Sequence, residues 1–210
     1  GSSLWISSGS SSLGKGVIHS VNYDGITNDS LIINYPSIKE SQGLASDDVN
    51  FWYLERKTSK CDLYKVSPSG TVLDSIILSQ VFGFSVYCGG AAYENNFLWI
   101  SVYYPNAFAK LYKIDLAAKT VRDSISTFGL QPQGITIKGD TLFYVMDGFE
   151  SDPERIYAVS LVSHDTLFSF KLPEQPGIRQ NPRGLAWDGR YFWLLAEPVG
   201  SSSGRQLFKY

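Results

Sequence analysis

The sequence has 210 residues, of which 43% are hydrophobic and 14% aromatic, enough apolar content for a large all-β domain. Charged residues make up only 18%, the formal net charge is −2 and no basic run occurs, so a nucleic-acid partner is not expected. No apolar stretch reaches the roughly 18 residues of a membrane span, so membrane insertion is not expected either.

The chain repeats one pattern of short strands, most clearly at an aromatic strand. The aromatic residues that mark this strand fall 47, 47, 44 and 50 residues apart: Trp5, Trp52, Trp99, Phe143 and Trp193. In four of the units, a glycine with small or aliphatic neighbours comes about nine residues earlier: Gly43, Gly90, Gly134 and Gly184. Short turn-forming links such as Asp188-Gly189 join the two strands, which is typical of β-hairpins.

Two further strands are predicted in each unit. The third strand covers residues 17–21, 63–66, 111–114, 156–159 and 207–210. The fourth is marked by an aspartate followed by Ser or Thr and an aliphatic residue: Asp29, Asp74, Asp123 and Asp165. No segment has a sustained period of 3.6 residues, so no long helix is expected.

A period of 40 to 50 residues with four short strands is typical of a β-propeller blade. The sequence predicts one all-β domain over residues 1–210, with antiparallel blade units of about 1–41, 42–87, 88–131, 132–181 and 182–210. The first unit lacks its inner strand and the last lacks its outer strand. We therefore expect five units, as they stand or within a six-bladed ring, with a partner chain or a flanking segment completing the terminal blades.

The run Gly-Leu-Ala-Trp-Asp-Gly at 184–189, followed by Phe192-Trp-Leu and Leu207-Phe-Lys, resembles the NHL, SMP-30/gluconolactonase, streptogramin-lyase and glutaminyl-cyclotransferase group of propellers. The resemblance covers nearly the whole chain and implies the fold. In that group, lactonases hold a divalent cation with acidic and amide groups in the axial channel, and streptogramin lyases use an axial histidine. The corresponding positions here are Gln42, Gly89, Gln133 and Arg183, so we expect neither a metal nor a cofactor.

Other motifs receive structural interpretations. Gly9–Lys15 spells most of a phosphate loop, but Gly16 follows it and no helix does, which favours a hairpin loop. His19 takes a third-strand framework position, and the repeated aspartates are interpreted as turn or strand-entry hydrogen-bonding groups. Cys61 and Cys88 are expected at one end of the propeller, either as a disulfide or as two free thiols.

Loops after the aromatic strands and before the inner strands differ between units, whereas the framework around them repeats. Packing requires similar residues at equivalent places, so these differences indicate a surface that meets a ligand. The predicted set on the axial face is Gln42, Glu55, Arg56, Tyr103, Tyr104, Gln133, Asp147, Phe149, Arg183 and Glu197.

Two functions remain open from the sequence. The first is a non-catalytic extracellular or periplasmic module for protein or glycan recognition or for structural assembly; a composition low in Lys and rich in Ser, Tyr and Asn favours export. The second is an enzyme of the lyase, lactonase or cyclotransferase type, with Glu55, Asp147 or Glu197 as general acid or base. A carboxylate of raised pKa in a pocket would distinguish the second from the first.

Overall fold

A computed structural model describes residues 3–10, 14–35, 38, 40–58, 60–148, 154–172, 180–198 and 204–210. Within these residues the chain forms five antiparallel sheets. Helical structure in the described ranges is limited to α1 (Leu78–Phe82) and a 3-10 turn (Asn106–Phe108), and none of it is long and apolar enough to cross a membrane.

The five sheets are the blades of a β-propeller, as predicted. Blade 1 contains β1 (Ser3–Ser10), β2 (Lys15–Asn22) and β3 (Thr27–Ile32); blade 2 contains β4 (Ser41–Ser46), β5 (Phe51–Lys57), β6 (Lys60–Val66) and β7 (Val72–Ile76); blade 3 contains β8 (Tyr87–Glu94), β9 (Phe97–Tyr104), β10 (Lys110–Asp115) and β11 (Thr120–Ser126); blade 4 contains β12 (Pro132–Lys138), β13 (Thr141–Met146), β14 (Arg155–Ser160) and β15 (Thr166–Lys171); blade 5 contains β16 (Gln180–Trp187), β17 (Phe192–Pro198) and β18 (Gln206–Lys209). Described strands thus number three in blades 1 and 5 and four in the others.

The strand register confirms that the aromatic residues occupy equivalent places on successive blades. Each blade tryptophan of blades 2, 3 and 5 lies opposite an alanine on the inner strand and a lysine on the third strand: Trp52 with Ala45 and Lys65, Trp99 with Ala92 and Lys113, and Trp193 with Ala186 and Lys209. In each case the lysine nitrogen lies 5.4 to 5.5 Å from the tryptophan ring centre. The small residue opposite gives the large ring room within the sheet.

Hydrophobic clusters lie between neighbouring blades. They join blade 1 to blade 2, blade 2 to 3, blade 3 to 4 and blade 4 to 5. A flat antiparallel sheet has two faces to cover, so stacking blade on blade buries both. Among the described residues no equivalent cluster joins blade 5 to blade 1; there, Tyr23 stacks on Trp193 with ring centres 5.2 Å apart. The five sheets are thus arranged as a five-bladed propeller.

Glycines let the inner strands approach one another around the axis. A β-carbon on Gly43 would lie 3.0 Å from the Gly90 α-carbon, and one on Gly90 would lie 2.9 Å from the Gly134 α-carbon. A β-carbon on Gly134 would lie 2.7 Å from the Gly184 α-carbon. Real β-carbons do not come this close to backbone atoms, so these glycines are required by crowding at the axis.

The repeated aspartates are structural, as the sequence analysis proposed. Asp29, Asp74 and Asp123 each accept a hydrogen bond of 2.7 Å from the next backbone N–H, beside a bulge in the pairing of the outer strand. Asp165 directly precedes β15. Two of these carboxylates also meet a basic side chain on the next blade: Lys119 lies 2.7 Å from Asp74, and His164 lies 3.1 Å from Asp123.

The remaining motifs also have framework roles. Ser10 pairs with Lys15 at the end of β1 and β2, so the described ends of the phosphate-loop-like run belong to a hairpin, while residues 11–13 lie outside the described residues. His19 lies between the hydroxyls of Ser8 and Ser30, at 2.9 and 2.8 Å. Both cysteines are free and buried, and they lie inside β6 and β8 rather than before these strands.

Candidate functional site

The candidate site lies at one end of the propeller, which we call the mouth. There the second strands end and the inner strands begin, as shown by the pairs Ser41–Glu55, Tyr87–Tyr104 and Gln180–Pro198. The third strands also start at this end. The framework therefore brings the described loop residues at this end toward a common axis.

Arg183 is the centre of the mouth on the side of blades 4 and 5. Its Nε lies 3.0 Å from Oε2 of Glu197, and its Nη1 lies 3.6 Å from Oδ2 of Asp147. Glu197 belongs to β17 of blade 5, whereas Asp147 directly follows β13 of blade 4. One guanidinium thus joins two blades, and the structure brings three of the predicted residues together.

Glu197 binds a second arginine that the sequence analysis missed. Arg205 donates from Nε to Oε1 of Glu197 over 2.8 Å, so each carboxylate oxygen has its own guanidinium. Partial burial by itself raises the pKa of Glu197, but the hydrogen bonds from Arg205 and Arg183 outweigh it and hold that pKa below its ordinary value. Glu197 is therefore ionised at neutral pH.

Three tyrosines form the side of the mouth that belongs to blade 3. Tyr87 stacks on Tyr103 with ring centres 6.0 Å apart and meets Tyr104 at 5.3 Å. The Tyr87 hydroxyl donates a 2.9 Å hydrogen bond to the backbone carbonyl of Thr58, which ties this tyrosine cluster to blade 2. Tyr104 is 51% exposed and so presents its ring to solvent. Tyr87 was not among the predicted residues.

Electrostatics connect the two sides of the mouth. Burial raises the pKa of the Tyr103 hydroxyl, while the charges of Arg56 and Arg183 act to lower it. The net shift is upward, so this phenol is protonated at neutral pH. Arg56 is exposed.

The sequence predicts Glu55 on the axial face, but the structure places its side chain inside blade 2. Strand β5 extends to Lys57, and Glu55 is only 1% exposed. Its Oε2 lies 3.5 Å from Nζ of Lys57, which also donates to Asp62 on the neighbouring strand over 2.8 Å. Glu55 and Asp62 are register partners, so Lys57 neutralises two adjacent buried carboxylates. This is an ionic cluster inside blade 2, not a solvent-facing group.

Gln133 is also buried, at 2% exposure, and so is not a rim residue. A β-carbon on Gly89 would lie 2.5 Å from the Gln133 α-carbon, and the Ser101 hydroxyl donates a 2.6 Å hydrogen bond to the Gln133 carbonyl. Both contacts are with the Gln133 backbone, which packs closely against blade 3. The side-chain amide oxygen of Gln133 has no hydrogen-bond partner among the described residues. Phe149, the remaining predicted residue, lies outside the described residues.

An opening runs from the mouth along the axis between β1, β4 and β16; we call it the axial slot. Gln42 lines this slot, together with residues of the three strands and of blade 5: Leu4, Trp5, Ser7, Ser41, Arg183, Gly184 and Arg205. At its mouth end the hydroxyl of Ser41 donates to that of Ser7. In the described part of the chain no three His, Cys, Asp or Glu side chains cluster as metal ligands would.

No protein-family model matches the sequence, and no curated protein matches it. Solved structures do resemble the fold. The chain is similar to a structure of the nidogen/laminin complex (TM-score 0.63, 15% identity, covering 99% of this chain and 93% of that one) and to Myxococcus xanthus glutaminyl cyclase (TM-score 0.62, 10% identity, covering 93% and 83%).

A third similar structure is Kuenenia stuttgartiensis hydrazine synthase, with a TM-score of 0.60 and 14% identity. The match covers 99% of this chain but only 58% of the hydrazine synthase chain. Identities this low show the fold alone, and that fold is used by enzymes as well as by binding proteins. The chain is therefore a β-propeller, and its function has to be argued from the mouth itself.

Proposed function

We propose that this propeller is a non-catalytic recognition or assembly module that binds a protein or glycan ligand at the mouth, outside the cell or in the periplasm. The observation that carries the proposal is the state of Glu197. Arg183 and Arg205 each occupy one of its oxygens, and its pKa is lowered. A carboxylate in this state is a fixed charge that positions two guanidinium groups, not a proton donor at neutral pH.

The tyrosine cluster supports recognition. Tyr87, Tyr103 and Tyr104 combine large apolar rings with polar tips, and aromatic residues with arginine are enriched where proteins bind partners. Their mutual packing reduces the entropy lost when a ligand orders them. Arg56 and Arg183 add donors that suit carboxylate, sulfate or hydroxyl groups on a ligand.

The alternative of a lyase, lactonase or cyclotransferase finds less support. Such an enzyme would use a mouth carboxylate as general acid or base, and that group is expected to have a raised pKa. Glu197 has a lowered pKa, Glu55 is buried beside Lys57, and Asp147 faces Arg183.

The proposal is tested by screening a glycan array and a panel of purified extracellular-matrix proteins with the wild-type domain and matched variants. R56A/Y104A removes two exposed mouth side chains, each substitution costing under about 0.5 kcal/mol of stability. V162A/L167A is the control, because these two exposed residues lie in the outer part of blade 4. We expect a ligand that the control binds and R56A/Y104A does not, at equal melting temperature.

A second variant, Y103A/R183A, removes the inner pair of the mouth. Because Arg183 joins blades 4 and 5, the melting temperature of this variant is measured alongside its binding. A ligand that binds both double variants as tightly as the wild type would overturn the proposal that the mouth is the recognition surface.

A further inference from the structure

The link from blade 3 to blade 4, residues 127–131, leaves two large apolar side chains in solvent. Phe128 is 70% exposed and Leu130 is 52% exposed. The links from blade 1 to blade 2 and from blade 2 to blade 3 run at the same end of the propeller, yet they bury these aliphatic residues completely: Ile33, Ile38, Leu78 and Val86. The exposure of Phe128 and Leu130 is therefore particular to this link and not a general property of the connections between blades.

A neighbouring loop of blade 3 extends this apolar surface. Phe108, in the 3-10 turn after β9, is 42% exposed and packs on Phe84 with ring centres 4.3 Å apart. The Thr127 hydroxyl donates to the carbonyl of Ala109 over 3.5 Å, so the two loops touch beside Phe108 and Phe128. Single exposed apolar side chains are ordinary, but a contiguous group of them marks an interaction site. We call this group the apolar ridge: Phe84, Phe108, Phe128 and Leu130.

The rings of the apolar ridge are fixed in place. Phe128 stacks on Tyr157 with ring centres 5.3 Å apart, and its backbone N–H donates to the Tyr144 hydroxyl over 2.9 Å. The Tyr112 hydroxyl donates to the carbonyl of Phe108 over 3.0 Å. The ridge is thus an ordered surface whose rings lie against other rings, so little entropy is lost when a partner covers it. Rings packed in this way do not project from the domain as the apolar side chains of a membrane anchor do.

Basic side chains flank the ridge on both blades. Lys110 begins β10 of blade 3, directly after the loop of the 3-10 turn. On blade 4, Cζ of Arg155 lies 6.0 Å from the centre of the Tyr157 ring, on which Phe128 stacks. Hydrogen bonds from Nε and Nη2 of Arg155 to the Ser169 hydroxyl, at 3.2 and 2.8 Å, hold this guanidinium in position. A fixed cation therefore lies beside the most exposed ring of the ridge.

A second cation on blade 4 makes this side of the ridge attractive to negative charge. Lys171 is exposed and lies directly opposite Arg155 in the pairing of β14 with β15, and like charges in such a position repel each other. Among the described residues neither of them, nor Lys110, forms an ion pair. The acid that precedes Arg155 along the chain, Glu154, has its Oε1 buried. A carboxylate supplied by a partner would relieve the repulsion and give the two cations a counter-charge.

We propose that the apolar ridge and its cations bind a short acidic segment of a partner protein that carries large apolar side chains. The apolar side chains of the segment cover Phe128 and Leu130, and its carboxylates pair with Arg155 and Lys171. Phenylalanine and leucine have no polar tips, so the ridge offers a hydroxyl-rich glycan nothing to hydrogen-bond. The inference goes beyond the recognition proposed for the mouth and does not depend on it, since it uses none of the residues assigned there.

The test selects random peptides of about 12 residues, displayed on phage, on the intact domain. We expect the selected peptides to be enriched in Asp and Glu together with Phe, Trp, Leu or Ile. One of them is then synthesised, labelled with a fluorophore and titrated with the domain in an anisotropy assay. Its binding should weaken as salt is added, because it includes charge pairs that are open to solvent.

A pair of matched variants assigns the binding to the apolar ridge. F128S/L130S should bind the synthesised peptide at least about tenfold more weakly than the wild type does. V162S/L167S introduces serine at two exposed residues in the outer part of blade 4, and should bind the peptide as the wild type does. Because Phe128 stacks on Tyr157, melting temperatures are measured as well. If the double variant is unstable, L130S alone is used and should bind at least about threefold more weakly.

A second matched pair assigns the charge. R155Q/K171Q should weaken binding at least about fivefold and reduce its salt dependence, because the two cations then no longer attract the carboxylates of the peptide. R122Q/K138Q removes two cations of β11 and β12 that lie outside the mouth end, and should leave both the affinity and the salt dependence unchanged.

The proposal is overturned if acidic, apolar peptides are not enriched, if F128S/L130S and L130S bind the synthesised peptide as tightly as the wild type, or if R155Q/K171Q leaves binding unchanged. Self-association of the domain in light scattering that F128S/L130S abolishes would also overturn it, because a second copy would then cover the ridge. Sedimentation with vesicles of anionic phospholipid, lost in F128S/L130S, would assign the ridge to a membrane surface instead and so overturn it as well.

Discussion

The α-carbon of Gly184 lies 2.7 Å from the place that a β-carbon on Gly134 would occupy. The atoms in conflict are backbone, so no side-chain rotation can relieve the clash. We expect G134A to lower the free energy of unfolding by about 1–3 kcal/mol or more. G184A, the same substitution one blade later, should change it by less than about 0.5 kcal/mol, because only Leu195 is near.

Urea unfolding followed by circular dichroism measures both variants under one condition. Equal destabilisation by G134A and G184A would contradict the arrangement of inner strands described above.

The buried ionic cluster of blade 2 provides a contrast between two lysines. Lys57 lies beside Asp62 and Glu55, both buried, so K57A should cost about 3–5 kcal/mol by removing the cation nearest to both groups, with Lys60 remaining 3.9 Å from Asp62. K119A breaks the pair with Asp74, in which both side chains are over 40% exposed, and should cost under about 1 kcal/mol. Similar losses in chemical denaturation would mean that Lys57 is not held in a buried cluster.

The raised pKa of Tyr144 predicts that the domain loses stability in alkali. Burial raises this pKa to about 12, although a hydrogen bond from the Phe128 N–H acts in the opposite direction. A raised pKa means that the folded state favours the neutral phenol. The contribution of the neutral phenol to stability is therefore complete below the pKa of about 10 that it has in the unfolded chain. This contribution is lost as the pH rises toward the pKa of the phenol in the folded state.

The wild type should accordingly lose about 2 kcal/mol more than Y144F when the pH is raised from about 9 to 12. Y144F starts from a slightly lower stability, because Phe128 loses its acceptor. Parallel pH dependence of the two proteins in urea unfolding would show that Tyr144 is not the responsible group.

The cysteines should be protected thiols. Cys61 and Cys88 are buried, the Cys88 N–H donates to the Cys61 sulfur over 3.1 Å, and burial raises the pKa of Cys88. Ellman's reagent should react very slowly with the native domain at pH 8 and with two thiols per chain in guanidinium. A fast native reaction, or fewer than two thiols after unfolding without reductant, would contradict this assignment.

The blade architecture could be predicted from the sequence because the same packing problem recurs in every unit. Trp52 and Trp99 need a small residue opposite and Gly43 and Gly90 need room at the axis, so each blade repeats the same residues. The short α1 has no counterpart among the described residues of the other units, so the repeat does not predict it.

The site was less predictable, because the features of the mouth do not repeat. The strand alignment predicts Arg183, Asp147 and Glu197 on one face, and in the structure Arg183 lies beside both carboxylates. Arg205 was missed because it precedes a third strand rather than following an aromatic one. The run Glu55-Arg56-Lys57 reads as a polar loop, and only the pairing of β5 with β6 shows that its first residue is buried.

A mouth that recognises a ligand without transforming it leaves that ligand chemically unchanged. The chemical fate of the ligand is therefore the most direct test of the proposed function. Each protein or glycan that scores in the screen is incubated with an equimolar amount of the domain at neutral pH and recovered for mass spectrometry. We expect the ligand to be recovered with its mass and linkages unchanged. A product that the wild type forms and E197Q does not, with E197Q still binding the ligand, would contradict the account and assign the mouth to an enzyme.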